Sequence, residues 1–391
     1  MKHIIALVDC DSFFVSCEQS IDKSLKNKPV CVLSNRDGCV VARSKEAKEL
    51  GIKMGMPYFM AKRDFPQAIY LSGNHELYEE ISDKVMDLLR DYSPTVDVYS
   101  IDEAFVDFTG LERLYNMNAI EIARFIRQKI LQKIDIPVSI GISSSKTLAK
   151  LASDKAKKIE GGVHYIGQGT LQYELNNTPV SDIWGIGKRL SLLMQKNGIL
   201  TAGELVLKSD EFLDKLIGIR GLEIKHELLG ENISPPENTA EPPKSIQQTS
   251  AMKKFTSDKD FLKNNINYHI HRACAKLRKH KLKTSTVGLM LRTKDFRVIW
   301  EKYISEKPLD FELEISKIIL NLFNKIYSPD IIYRSTGVFF DKLSPADECQ
   351  ISLFDNDFQH IKNQKLTECF DKLENKFGKD IIQIGFIKSN I

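Results

Sequence analysis

At 391 residues the chain is too long for one ordinary core, and its 42% hydrophobic content is that of a globular protein of two to four domains. No apolar run approaches the roughly 18 residues of a membrane span, so no membrane partner is expected. Net charge is only +4 and does not by itself point to nucleic acid; the seven cysteines, odd in number and without a C-x-x-C pair, argue against a disulfide framework or structural zinc and for a reduced, cytoplasmic protein.

The first segment alternates strand and helix signals. Ile4–Val8 is too short for the core of a signal peptide and reads as a buried strand that runs into Asp9. Helical spacing covers Ser12–Ile21. Val30–Leu33 and Val40–Arg43 are β-branched runs joined by Asn35-Arg36-Asp37-Gly38, whose Asp-Gly is a hairpin signal. Ser44 caps a helix that Gly51 ends. A longer helix is expected over His75–Tyr92, two short strands around Ser100–Glu103 within Val96–Thr109, a helix over Ala119–Ile134, a strand over Pro137–Ile142 and a helix over Lys146–Lys157.

Residues 167–233 turn all-helical, and 234–243 hold four prolines without hydrophobic periodicity, as a linker would. A second α/β unit is expected over 244–345, followed by a tail, 346–391, that starts in a loop.

Three acids stand out. Asp9 ends a buried strand, where an unpaired carboxylate is costly. Asp102 and Glu103 are adjacent at a hairpin tip, where a bend lets neighbouring side chains converge. Phosphoryl transfer by two metal ions needs carboxylates in such an arrangement, and Mg²⁺ suits hard oxygen ligands. Taken singly, Asp9 reads rather as a strand-end cap and Asp102 and Glu103 as a solvated turn.

Val8-Asp9-Cys10-Asp11-Ser12-Phe13-Phe14, Ser100-Ile101-Asp102-Glu103-Ala104-Phe105 and Gly141-Ile142-Ser143-Ser144-Ser145-Lys146-Thr147-Leu148 resemble, in order, the motifs of Y-family DNA polymerases. Leu33 to Arg43, followed by Glu46-Ala47-Lys48, is most similar to the UmuC branch. The resemblance implies an α+β, multidomain right hand: a ferredoxin-like palm (1–10 and 79–166), small fingers (11–78), a helical thumb with a helix-hairpin-helix (167–233), and an α/β little finger (244–345) beyond the linker.

It further implies low-fidelity, template-directed DNA synthesis past lesions in an SOS-type response, in a bacterial cytosol and associated with the nucleoid. Asp9, Asp102 and Glu103 would hold two Mg²⁺ ions, or Mn²⁺ in their place, with Cys10 giving only its backbone carbonyl. Phe14 would be a steric gate against the 2′-hydroxyl, with Phe13 packing beside it. Arg43, Lys48 and Lys157 would grip the triphosphate of the incoming deoxynucleotide; Lys146 reads equally as a template contact or a solvated lysine.

For primer-template DNA, Gly185-Ile186-Gly187 permits a tight bend whose N–H groups face a phosphate, flanked by Lys188 and Arg189. The run His271–Lys283, with Arg272, Lys276 and Lys279, is a basic helical face suited to backbone contacts. Gln350-Ile351-Ser352-Leu353-Phe354 resembles a sliding-clamp-binding pentapeptide, in which Gln350, Leu353 and Phe354 would dock into a preformed pocket. A UmuD-like accessory dimer and a recombinase filament are further partners of that branch. The rival reading is a catalytically reduced relative kept as a DNA- and clamp-binding scaffold; the intact Asp9, Asp102, Glu103 and Phe14 argue against it. No second acidic set of the kind a proofreading exonuclease needs was found in the sequence.

Overall fold

The computed structural model describes residues 3–34, 38–238 and 242–346, with seven positions between 365 and 377. The chain divides into two compact units, 1–240 and 241–391. The expected turn at 35–38, save Gly38, and the pentapeptide at 350–354 lie outside the described residues.

In the first unit the strands are β1 (Ile5–Cys10), β2 (Val30–Leu33), β3 (Val40–Arg43), β4 (Ile69–Ser72), β5 (Val96–Val98), β6 (Glu103–Asp107), β7 (Val138–Ser143) and β8 (Val163–Tyr165). Helices α1 (Phe13–Ile21), α2 (Lys45–Glu49), α3 (Tyr58–Asp64), α4 (His75–Arg90), α5 (Leu111–Tyr115), α6 (Ala119–Ile134) and α7 (Lys146–Ala156) alternate with them. Five helices follow: α8 (Gln168–Asn176), α9 (Lys188–Lys196), α10 (Ala202–Val206), α11 (Asp210–Ile217) and α12 (Ile219–Leu228).

The five-stranded sheet has the order β5-β6-β1-β7-β8, with β1 central and antiparallel to both neighbours. Every residue of β1 is buried, because the sheet is covered on both faces. Ala6, Val8 and Cys10 point into the main core with α4 and α6, whereas Ile5 and Leu7 lie with Phe105 and with Ala149 of α7 on the other face. Side chains alternate along a strand, so Asp9 follows Ile5 and Leu7 onto the α7 face.

A separate sheet of three strands, β3-β2-β4, carries the segment between. β2 and β3 pair antiparallel, as the hairpin signal requires; β4 adds in parallel. β4 is not among the strands expected from sequence, because Ile69-Tyr70-Leu71-Ser72 holds one β-branched residue where β2 and β3 each hold two valines. The helical residues 168–228 have their own core around Leu175, Val180, Met194, Leu205 and Leu228.

Helix α7 is seated unusually close to β7. A Cβ on Gly141 would stand 2.0 Å from the Ser153 backbone N and 2.3 Å from the Ala149 carbonyl oxygen. These are backbone atoms and cannot rotate aside, so only the whole helix could yield. The start of α7 is pinned from α12: buried Glu227 accepts from the Thr147 backbone N–H at 2.9 Å, and the Ser145 hydroxyl donates to the Glu227 carbonyl at 2.6 Å. Gly141→Ala should therefore cost about 1–3 kcal/mol of overpacking. Thermal melting would register this as a fall in Tm of roughly 2–4 °C per kcal/mol; an unchanged Tm would contradict this seating.

The second unit is a four-stranded antiparallel sheet, β11-β10-β12-β9, built from β9 (Ile246–Thr256), β10 (Leu282–Thr293), β11 (Val298–Leu309) and β12 (Tyr333–Pro345). Helices α13 (Lys259–Lys279) and α14 (Glu312–Ile326) supply Leu262, Ile266, Cys274, Ile315 and Phe323 to the core shared with that sheet.

Candidate active site

β1 and β6 pair in a register that sets Asp9 opposite Glu103 and Leu7 opposite Phe105. The two carboxylates thus stand side by side on the α7 face, one residue pair beyond the apolar row. Asp102 lies at the turn before β6, where the Cys10 backbone N–H donates to its carbonyl at 2.9 Å. Its side chain accepts from the Ser100 hydroxyl at 2.6 Å.

Asp9 is only 3% exposed. Burial and a hydrogen bond shared with Glu103 push its pKa up to about 6, against the opposing pull of Lys157. Two acids in one buried position call for cationic neutralisation. Helix α7 and its C-cap provide it: Lys157 Nζ lies 2.6 Å from Asp9, while Lys150 Nζ contacts Glu103 and lies 3.5 Å from Asp9. Burial works to lower the pKa of Lys157, but Asp9 more than offsets it and holds the ammonium above its usual range.

These hard oxygen donors are of the kind that holds a divalent cation. Asp102 is engaged with Ser100, and among the described residues no three acidic, imidazole or thiol groups stand at metal-ligating positions. Asp11, raised by burial despite a 2.8 Å bond from the Ser139 hydroxyl, lies beside the group. The Cys10 thiol is fully buried and pushed well above its usual pKa, so it stays protonated and inert.

Past β1, Ser12 sits in the left-handed region at φ 48°, an uncommon conformation for a residue with a side chain. Its hydroxyl accepts from Lys48 Nζ at 2.9 Å, which brings the exposed Lys48 to this end of the sheet. Partial desolvation of its ammonium lowers the Lys48 pKa, with Arg43 adding repulsion. Phe14 is half-buried and stacks on Tyr78 at 4.5 Å and 15°, while Phe13 is buried in the main core. Tyr78 is in turn fixed by a 2.6 Å hydrogen bond to Glu18.

Two further sequence candidates are held by contacts of their own. The Arg43 guanidinium donates to the Ile52 carbonyl. Lys146 is ion-paired to Asp97 at 2.6 Å and lies over the Phe105 ring, so it is neither solvated nor directed to the acids. Lys150 was missed, although its spacing of four from Lys146 and seven from Lys157 puts all three on one helix face.

The turn at Gly185 has φ +90°, and Gly187 caps α9, whose first residues Lys188 and Arg189 are exposed. In the second unit Lys276 and Lys279 are exposed on α13 and Arg272 is half-buried. Three other members of that run face carboxylates. His271 and Arg278 face Glu312 at 3.1 and 3.6 Å, and Lys283 faces Asp310 at 3.3 Å.

Residues 8–154 match the impB/mucB/samB family, and 243–353 match the impB/mucB/samB family C-terminal domain. Protein UmuC of Salmonella typhimurium is 32% identical over 96% of this chain and 92% of its own length. DNA polymerase IV of Dehalococcoides mccartyi is 34% identical over 97% and 96% respectively. A Y-family DNA polymerase chimera built on Dbh superposes with a TM-score of 0.71 at 27% identity, covering 88% of this chain and 99% of that one. No helix among the described residues is long and apolar enough to cross a membrane. With its paired acids on a central antiparallel strand and these relatives along nearly its whole length, the chain belongs to the impB/mucB/samB family and is a UmuC-like member of the Y-family DNA polymerases.

Proposed function

We propose that this chain carries out error-tolerant, translesion DNA synthesis, in which the primer 3′-hydroxyl attacks the α-phosphate of a deoxynucleotide and pyrophosphate leaves. The observation that carries the reading is the pair Asp9 and Glu103, set side by side by strand register and neutralised by Lys150 and Lys157. Asp9, Asp102, Glu103 and the Cys10 carbonyl would hold two Mg²⁺ ions, for which Mn²⁺ could substitute. When bound, these ions supply the charge that activates the attacking oxygen and stabilises the leaving one.

In this reading Lys157 and Lys48 bind triphosphate oxygens, exchanging Asp9 and Ser12 for the nucleotide. Arg43 stands behind them and adds positive potential. Phe14, backed by Tyr78, meets the sugar face and excludes a 2′-hydroxyl. The palm comprises 1–10 and 79–166, the fingers 11–78, the thumb 167–233 and the little finger 244–345. The Gly185–Gly187 turn with Lys188 and Arg189 holds a phosphate of the primer-template, and Lys276 and Lys279 add backbone contacts. A damage-response role, with a UmuD-like dimer and a recombinase filament as partners, goes with the same reading.

The test is primer extension across an abasic site with Mg²⁺, with and without clamp and recombinase filament. Extension past the lesion supports the reading, and failure under all four conditions refutes it. Clamp docking is tested separately. Leu353→Ala with Phe354→Ala should leave distributive synthesis unchanged and remove clamp stimulation; equal stimulation of both proteins would remove Gln350–Phe354 from the interface.

A further inference from the structure

Trp184 is a residue that the chemistry above does not use. It immediately precedes Gly185, and its ring leaves the helical region to rest on the α7 face of the sheet. There it packs half-buried against Ile5, Leu7, Phe105 and Ala149. Leu7 and Phe105 form the residue pair next to Asp9 and Glu103 on the same face.

The indole makes two ring contacts. It meets Tyr99 edge-on at 5.3 Å and 87°, and Phe105 at 5.8 Å and 43°. Tyr99 and Phe105 also contact each other at 5.9 Å, so the three rings close a triangle. Tyr99 begins the acid hairpin: its backbone N–H and that of Ser100 both donate to the Glu103 carbonyl at 3.1 Å. Ser100 then holds Asp102. Lys146 closes the side of the cluster over Phe105 and is tied to Asp97 on β5.

Packed aromatic rings hold one another in preferred geometries beyond the effect of the area they bury. Yet Tyr99 is 52% exposed, which is more than a purely structural ring would need. We infer that Trp184 is a positioning residue through which the phosphate-facing turn at Gly185–Gly187 sets the hairpin carrying Asp102 and Glu103. Seating of the duplex at that turn and alignment of the acids then depend on one shared ring contact. A displacement of the turn reaches the acids through Trp184 and Tyr99, which form a contiguous packed link rather than a distant correlation. The inference rests on the polymerase reading and on the turn's role in it.

The test measures single-turnover incorporation and DNA affinity on the full chain for Trp184→Ala, Trp184→Phe, Tyr99→Leu and the Trp184→Ala/Tyr99→Leu pair. A misplacement of about 1 Å at a reacting centre costs up to about a hundredfold. Trp184→Ala should therefore lower the maximal rate about tenfold, with the DNA Kd changed less than about twofold. Trp184→Phe should recover most of the rate, and the double variant should be no slower than Trp184→Ala, because both changes break the same link.

A full rate in Trp184→Ala, a loss that follows DNA affinity alone, or additive losses in the double variant would each overturn the inference. Should Trp184→Ala fail to melt cooperatively, Tyr99→Leu decides: its exposed ring can be removed without loss of fold, and an unchanged rate there refutes the link. A wild-type chain that extends no primer overturns the polymerase reading itself. An active wild type with unaltered variants overturns only the role of Trp184.

Discussion

Replacing Asp102 and Glu103 together by alanine should abolish primer extension, by on the order of a thousandfold or more, while leaving primer-template affinity within a few fold. The asymmetry follows from where the acids sit. Glu103 shares the α7 face with Asp9, and Asp102 lies in the turn before it, whereas Lys188 and Arg189 belong to a different set of elements. Removing negative charge from a site that binds an anionic substrate should, if anything, favour DNA and nucleotide binding. Gel-shift or anisotropy titration beside primer extension separates the two effects, and residual extension within tenfold of wild type would sink the assignment.

The double variant should also fold. Both side chains are only partly buried, and their loss relieves rather than creates like-charge crowding around Asp9. The sign for Asp9 itself is unusual for a carboxylate. Its folded pKa, about 6, lies above the ordinary 3.8, so the native state binds this proton more tightly than the unfolded chain does. The stability this contributes is fully present below pH 3.8 and is lost as pH rises through about 6. That is the electrostatic profile of a group placed for charge binding rather than for stability.

The sequence made much of this architecture legible, and the gaps have physical causes. Long amphipathic helices such as Ala119–Ile134 announce themselves, because their period recurs over four turns and Asn118 with Glu121 forms a capping box. Strand β1 was readable as a buried run ending in an acid. The pairing of Asp9 with Glu103 was not, because register is a contact between residues 94 positions apart along the chain. Motif resemblance supplied the list of acids and, of the two lysines opposite them, Lys157 but not Lys150. Lys150 escaped since a lysine on a helix is ordinarily solvated, and only the close seating of α7 on Gly141 brings this one to the carboxylates. In the second unit, counting charges cannot reveal that Arg278 and Lys283 already face Glu312 and Asp310, while Lys276 and Lys279 are exposed.

Phe14→Ala should let ribonucleotides in, with discrimination against the 2′-hydroxyl falling by on the order of a hundredfold or more. A gate works by repulsion, so it must be stiff as well as large. Phe14 meets that condition because its ring is stacked flat on Tyr78 at 4.5 Å, with His75 edge-on at 5.8 Å. Tyr78 is wholly buried, and its hydroxyl donates to Glu18 at 2.6 Å, so the backing cannot swing aside to admit a larger sugar. Truncation at position 14 leaves Tyr78 and Glu18 in place and opens only the space in front of them. The stability cost should be about 1–3 kcal/mol, less than for a fully buried ring, since Phe14 is half-exposed to begin with. Incorporation of matched ribo- and deoxynucleotides on one template gives the ratio directly. A ratio that moves while deoxynucleotide incorporation stays within a few fold identifies the gate, whereas an unchanged ratio makes Phe14 a packing residue of α1 and nothing more.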